Sequence, residues 1–335
     1  MSGVVGEQRK MIRSTLKRVP GLAQAYRAAR RLLRHGSSMG DRTAAFWGHA
    51  AVNREGGEYA REWLSCPQVL RESVFPRLGG LDWFGFLREK CRPLPRENCL
   101  SLCCGDGSVE RHLVKMGICR ACEGVDISPA AIAVCRQEAE SAGLSTLTYR
   151  VVDVERARLP ATSYDLVIGW MALHHIQNLS QLFHQVKRAL RPGGLFVVNE
   201  YVGPARFQLP EAQVAMIDEW VRRLPARLQV ASNGQIRDGW TRPNVEDMIR
   251  IDPSEAVRSD QILPELEREF VIVERVDYGG GLLQWVLHDI TQNLDPENAE
   301  DVSWLRRLCT AEQGLMKQGI LASDFCLVIA RPASR

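Results

Sequence analysis

The stretch Leu100-Ser101-Leu102-Cys103-Cys104-Gly105-Asp106-Gly107-Ser108 decides how this chain is read. It ends an apolar run in a tight glycine turn and opens an amphipathic segment, Ser108 to Met116, that stops at Gly117. Gly105 and Gly107 let the backbone approach a ligand closely, and a helix N-terminus behind them supplies free N–H donors. Structural turns and nucleotide sites both use such a turn, so its meaning depends on the residues around it.

Around it, apolar runs alternate with amphipathic helices, the pattern of a parallel sheet covered on both faces. Strands are expected at 98–103, 122–126, 148–152, 164–169, 195–200, 270–276 and 325–331. Helices are expected from Pro129 to Ala142, started by Ser128, from Ser180 to Leu190, stopped by Pro192, and from Leu282 to Ile290. Tyr278, before Gly279-Gly280-Gly281, is a candidate lid hinge or part of a turn before the helix at Leu282. The run from Gly203 to Pro264 breaks the alternation, with a helix-like stretch near Gln208 to Leu224. Loops at strand carboxyl ends carry ligand sites in open α/β sheets, so this insertion is expected to cap a substrate.

Two acids follow the turn. Asp126 ends the second strand 19 residues after Gly107, where an acid in a doubly wound sheet accepts hydrogen bonds from ribose hydroxyls. Asp153 ends the third strand and can face an adenine amino group. The fourth strand runs into Trp170-Met171-Ala172-Leu173-His174-His175, and Arg191-Pro192-Gly193-Gly194 introduces the fifth.

In this order and spacing the blocks resemble the class I S-adenosylmethionine-dependent methyltransferases that act on small molecules and sugars. The Asn199-Glu200-Tyr201-Val202-Gly203-Pro204 block resembles a bacterial subgroup associated with polysaccharide or specialised-metabolite pathways. The resemblance implies an α/β fold: a Rossmann-like, doubly wound, seven-stranded sheet with a helical N-terminal extension and a cap inserted after the fifth strand. It also implies S-adenosyl-L-methionine as cofactor. Gly105 and Gly107 then border its methionine part, with Ser101, Cys103 and Asp106 in the same loop. Asp126 and Ile127 take the ribose side, Asp153 and Val154 frame adenine, and Trp170 and Met171 line the cofactor. Ser101 stands where the family usually has an acid and Cys103 where it has Gly, which alters the grip on the cofactor's amino group.

Methyl transfer to a hydroxyl needs an aligned nucleophile, exclusion of water and a base of near-neutral pKa. His174 and His175 lie at the carboxyl edge of the sheet and are the candidate bases; Glu200 can act as a base, orient one, or cap a helix or tether a loop. Arg206, Asn233, Arg237, Arg242 and Asp252 in the insertion either contact a polar substrate or tether loops. The expected acceptor is a small molecule, a hydroxyl of a sugar or specialised metabolite, with N- or C-methylation as the alternative on the same fold. A dehydrogenase would share the glycine turn and Asp126 but has no use for Asp153 and the paired histidines.

Composition sets the remaining bounds. With 45% apolar and 25% charged residues in 335, the chain reads as globular, with no metal expected. The ten cysteines are too dilute for a disulfide scaffold, and Cys119-Arg120-Ala121-Cys122 has the spacing of half a zinc site without a second half. No secretion signal is read at Met1 to Lys10, so a cytoplasmic location is expected.

The net charge of +3 is uneven. Residues 1–36 carry nine Arg/Lys against one Glu, a basic arm of net +8, leaving −5 on the rest. Arg27, Arg30, Arg31 and Arg34 share one helical face, suited to packing on the domain, to a membrane surface or to an anionic ligand. The acidic body argues against nucleic acid as partner. Residues 37–97 read as an aromatic-rich helical lead-in whose aromatics, Trp47 among them, either pack on the main sheet or cover a pocket, and 98–335 as the main domain with its insertion at 203–264.

Overall fold

The computed structural model describes residues 39–52 and 62–333. The basic arm, with Arg27, Arg30, Arg31 and Arg34, lies outside the described residues.

Seven strands form one sheet: β1 (Arg96–Leu102), β2 (Cys119–Asp126), β3 (Leu147–Val151), β4 (Tyr164–Trp170), β5 (Leu190–Tyr201), β6 (Phe270–Gly279) and β7 (Phe325–Pro332). Their order is β3-β2-β1-β4-β5-β7-β6, parallel except for β7, which runs antiparallel to both its neighbours. Consecutive strand residues enter opposite cores. Cys99, Ile168 and Val197 pack on one face, Leu100, Val167 and Val198 on the other. That two-sided burial is why the strands read as unbroken apolar runs.

The chain reverses strand order between β1 and β4, where Leu102 pairs with Gly169, and a crevice opens beyond these carboxyl ends. Helices α3 (Ser108–Lys115), α4 (Pro129–Ser141) and α5 (Leu179–Ala189) make the crossovers. Ser128 and Asn178 cap α4 and α5 through their side chains, accepting from Ala131 N and Gln181 N.

N-terminal to the sheet lie α1 (Met39–Val52) and α2 (Trp83–Lys90). The lead-in aromatics pack on the main sheet: Trp63 against Tyr278 and Phe325, Trp83 and Phe84 against Trp170. The insertion contributes α6 (Glu211–Arg223) and α7 (Val245–Ile251), and α8 (Ile262–Glu269) leads back into β6. Helix α6 buries Ile217 and Val221 in the same core as Trp285, so this part of the insertion builds the body, while residues 252–257 return to the sheet edge.

Several expectations are corrected. Strand β1 begins at Arg96 and ends at Leu102, because Cys103 already has φ 51°. Strand β5 begins at Leu190, with a register shift against β4 that accommodates Arg191 to Gly194. The expected helix at 282–290 is a single turn, Leu283–Val286. Tyr278 is no hinge. It is fully buried and donates to Asn199 Oδ1 at 2.7 Å, and the glycine run behind it is pinned by Glu312 Oε1, which accepts from Gly280, Leu282 and Leu283 N–H. That carboxylate comes from α9 (Ala299–Lys317), a helix the alternating pattern does not announce.

Candidate active site

The glycine turn works through positive φ at Cys103, Gly105 and Gly107, of 51°, 56° and 75°. A Cβ on Gly107 would stand 2.8 Å from Tyr149 Oη, so close packing under the turn requires glycine as much as the conformation does. Asp126 ties the turn to β2: its Oδ2 accepts from Gly105 N at 3.0 Å and its Oδ1 from Ser128 N at 2.8 Å. Each oxygen keeps a second lone pair for a ligand hydroxyl. Burial raises the Asp126 carboxyl above its usual value, while the backbone N–H groups oppose that shift.

Beyond the turn is a cleft of about 660 Å³. Of the expected cofactor residues, Cys103, Gly105, Asp106, Asp126, Ile127, Asp153, Val154, Trp170 and Met171 line it. Ser101 and Gly107 do not. Ser101 is 2% exposed and faces Glu110 of α3 in the floor, and Gly107 packs on Tyr149. Asp153 is held by Glu155 N at 3.0 Å and lies 3.4 Å from Arg156 Nε. Cys103 keeps its proton: burial, then the Asp126 carboxylate, pushes its thiol well above the ordinary value.

Of the histidines, His175 lines the cleft and His174 does not. His174 Nδ1 meets Glu200 Oε2 at 2.6 Å, and its Nε2 is 3.8 Å from Glu255 Oε1. Burial disfavours its charged form, but Glu200 and then Glu255 outweigh that and lift His174 to about 9. Glu200 is fully buried and committed. One oxygen accepts from Ala172 N and Leu173 N, the other from Tyr201 N at 3.1 Å besides His174. It therefore holds the loop after β4 and orients His174, with no path to a substrate.

His175 is pushed the other way, well below its ordinary value, by burial and then by the adjacent His174, whose ring centroid is 4.1 Å away. Its Nδ1 lies 3.2 Å from Ser254 Oγ, and that hydroxyl donates to Asp252 Oδ1 at 2.6 Å. Since the Ser254 proton goes to Asp252, His175 carries its own on Nδ1 and keeps a lone pair on Nε2. Asp252 was a candidate for substrate contact; the structure places it behind His175, 3% exposed.

The other candidates in the insertion tether. Arg206 donates to Glu255 O at 2.8 Å and Pro253 O at 2.7 Å, fixing the loop that carries Ser254. Arg237 donates to Trp285 O at 2.8 Å and Val286 O at 2.9 Å, Arg242 pairs with Glu211 at 2.6 Å, and Asn233 accepts from Gln235 N at 2.9 Å. The roof comes from the lead-in. Gly40, Thr43 and Trp47 of α1 line the cleft, Trp47 meets the His175 ring edge-on at 4.8 Å, and Arg42 donates to Ile249 O at 2.7 Å and Arg250 O at 3.2 Å. Ser254 beside Asp252 was not legible, since Asp252-Pro253-Ser254 is a tripeptide that marks any loop.

A glycine turn that admits close backbone approach, two strand-end acids and the apolar side chains of Ile127, Val154, Trp170 and Met171 suit an adenosine carrying an amino-acid tail. Fold and cleft together define a class I S-adenosylmethionine-dependent methyltransferase domain. Residues 100–198 match the family model described as a methyltransferase domain. The chain is similar to demethylmenaquinone methyltransferase of Tropheryma whipplei (strain Twist), 28% identical over 34% of this chain and 46% of that protein. It is similar to phosphoethanolamine N-methyltransferase 1 of Arabidopsis thaliana, 26% identical over 60% of this chain and 38% of that protein. Aklanonic acid methyltransferase DauC of Streptomyces sp. (strain C5) is 26% identical over 53% of this chain and 84% of that protein. The chain thus spans less than half the length of the first two. Among solved structures, geranyl diphosphate methyltransferase with GPP and sinefungin covers 73% of this chain and 76% of its own, at 15% identity and a TM-score of 0.47. Among the described residues no helix is long and apolar enough to cross a membrane.

Proposed function

We propose that this chain methylates a hydroxyl of a small molecule, a sugar or specialised metabolite, using S-adenosylmethionine, with His175 as general base. The observation that carries this reading is the chain Asp252–Ser254–His175, which ends on the cleft wall with a free imidazole lone pair. When bound, the cofactor supplies a methyl group on a sulfonium, open to in-line displacement.

The protein supplies alignment, dryness and a place for the proton. Asp126 and Asp153 would hold the cofactor's polar groups, and Gly105 lets the backbone come close to them. Trp47 and Thr43 above and Trp170 and Met171 below keep water from the reacting centre. His175 Nε2 takes the hydroxyl proton, and Ser254 with Asp252 stabilises the imidazolium that forms. Positively charged His174 beside it keeps His175 unprotonated beforehand.

The test pairs binding with turnover. S-adenosylmethionine should raise the melting temperature of the wild type and fail to do so for Asp126→Ala. Hydroxylated metabolites and sugar nucleotides should then be screened for methyl transfer. A cofactor-induced shift that survives Asp126→Ala unchanged overturns the cofactor placement, and an acceptor methylated at nitrogen or carbon with full activity in His175→Ala overturns the oxygen reading.

A further inference from the structure

Outside the cleft, the sheet holds a group of side chains that methyl transfer does not use. Cys99 on β1 and Cys122 on β2 are register partners, and Cys119 at the start of β2 brings its thiol to the same point. The three Sγ atoms lie within 4.8 Å of one another, and none of the three residues is more than 2% exposed. None of them lines the cleft.

Nearby, on α3, Glu110 is fully buried, and neither of its carboxylate oxygens has a hydrogen bond of good geometry. Its charge acts on both Cys99 and Cys122. Ser101 is its neighbouring hydroxyl, but a buried carboxylate without a counter-charge is costly even after relaxation, and a natural interior supplies one where it can. Among the described residues no Lys or Arg side chain is hydrogen-bonded or ion-paired to Glu110.

We propose that Cys99, Cys119 and Cys122 bind a thiophilic closed-shell cation, Zn²⁺, whose charge the buried Glu110 carboxylate nearby on α3 would offset. The donor set argues for the metal class: thiolates select zinc over magnesium or calcium, and a CxxC pair with a third thiol from the neighbouring strand gives three corners of a tetrahedron. A Zn–S bond of about 2.3 Å sets sulfur atoms about 3.8 Å apart, so the thiols need draw together by only about 1 Å. On binding, each thiol releases its proton to solvent and forms one Zn–S bond, with no change of oxidation state. The ion would clamp β1 to β2 in the amino-terminal half of the two strands, behind the carboxyl ends that carry the glycine turn.

The full chain, expressed with added zinc and passed over a chelating resin, should retain about one zinc per molecule by elemental analysis. After exchange into Co²⁺ it should show thiolate-to-cobalt charge-transfer bands, lost in Cys99→Ser and Cys122→Ser and retained in Cys66→Ser, whose thiol is half-buried and outside the cluster. Folded wild type holding less than about a tenth of an equivalent, without charge-transfer bands, overturns the proposal. So does equal metal content in wild type and the serine variants. Should the serine variants fail to fold, chelation of the wild type decides: the melting temperature must fall when zinc is stripped and recover when it is restored, and a melting temperature indifferent to zinc also overturns it.

Discussion

His175 Nδ1 and Ser254 Oγ lie 3.2 Å apart, joining a histidine in the turn after β4 to a serine 79 residues later in the insertion. Because Ser254 donates in turn to Asp252, this contact fixes which imidazole nitrogen is basic. His175→Ala should lower kcat by about 10²- to 10⁴-fold, the usual worth of a general base. Ser254→Ala should cost less, about tenfold, and should act on kcat more than on KM, since the hydroxyl touches the base and not the cofactor. If Ser254→Ala raises KM and leaves kcat alone, the residue reads substrate instead. Steady-state kinetics with the acceptor found in the screen distinguish the two.

The His174–Glu200 pair gives stability a defined pH dependence. His174 has a folded pKa of about 9 against 6.5 unfolded, so its contribution is complete below 6.5 and is lost as pH rises through 9. His175 has the opposite sign: held neutral by burial, it destabilises the fold as pH falls below its unfolded value of 6.5. Glu200→Gln keeps an acceptor for the Ala172 and Leu173 N–H groups while removing the charge that lifts His174. The wild type should therefore lose more stability than Glu200→Gln between pH 6.5 and 9, by roughly 3 kcal/mol at most. Other buried acids titrate in both proteins, so denaturant curves are compared as a difference. Parallel pH profiles would remove the imidazolium from the account.

Arg42 is the polar latch between the roof helix α1 and the end of α7. Its guanidinium satisfies two carbonyls where α7 runs out of helical partners, a cheap contact to break from solvent. Arg42→Ala should raise the dissociation constant of S-adenosylmethionine several-fold through faster release, with a loss of global stability below about 1 kcal/mol. Stopped-flow release rates beside a denaturant titration check this; a large stability loss with unchanged release would make α1 part of the core and not a cover.

Much of the cofactor half was legible because its chemistry is local. A glycine turn, an acid at each of two strand ends and a helix start behind the turn are fixed by positions a few residues apart, and period-two burial wrote the strands as apolar runs. Ser101 misled for a physical reason: alternation in β1 sends it to the floor beside Glu110 while the next residues turn toward the cleft. Likewise His174 and His175 are neighbours in sequence with opposite fates, one charged between two carboxylates and one neutral on the wall.

By itself, the sequence determined the doubly wound sheet, its class and the glycine turn at the head of the cleft, since each rests on short-range patterns of glycine, acid and apolar residues. Tertiary structure alone decided which histidine faces the cleft, because the choice depends on Glu200, Glu255, Ser254 and Asp252 arriving from β5 and the insertion. It also decided the roof, where a tryptophan from α1 closes over a histidine 128 positions away in the chain. No local pattern encodes such contacts, for they form only when distant segments are packed on the same sheet edge.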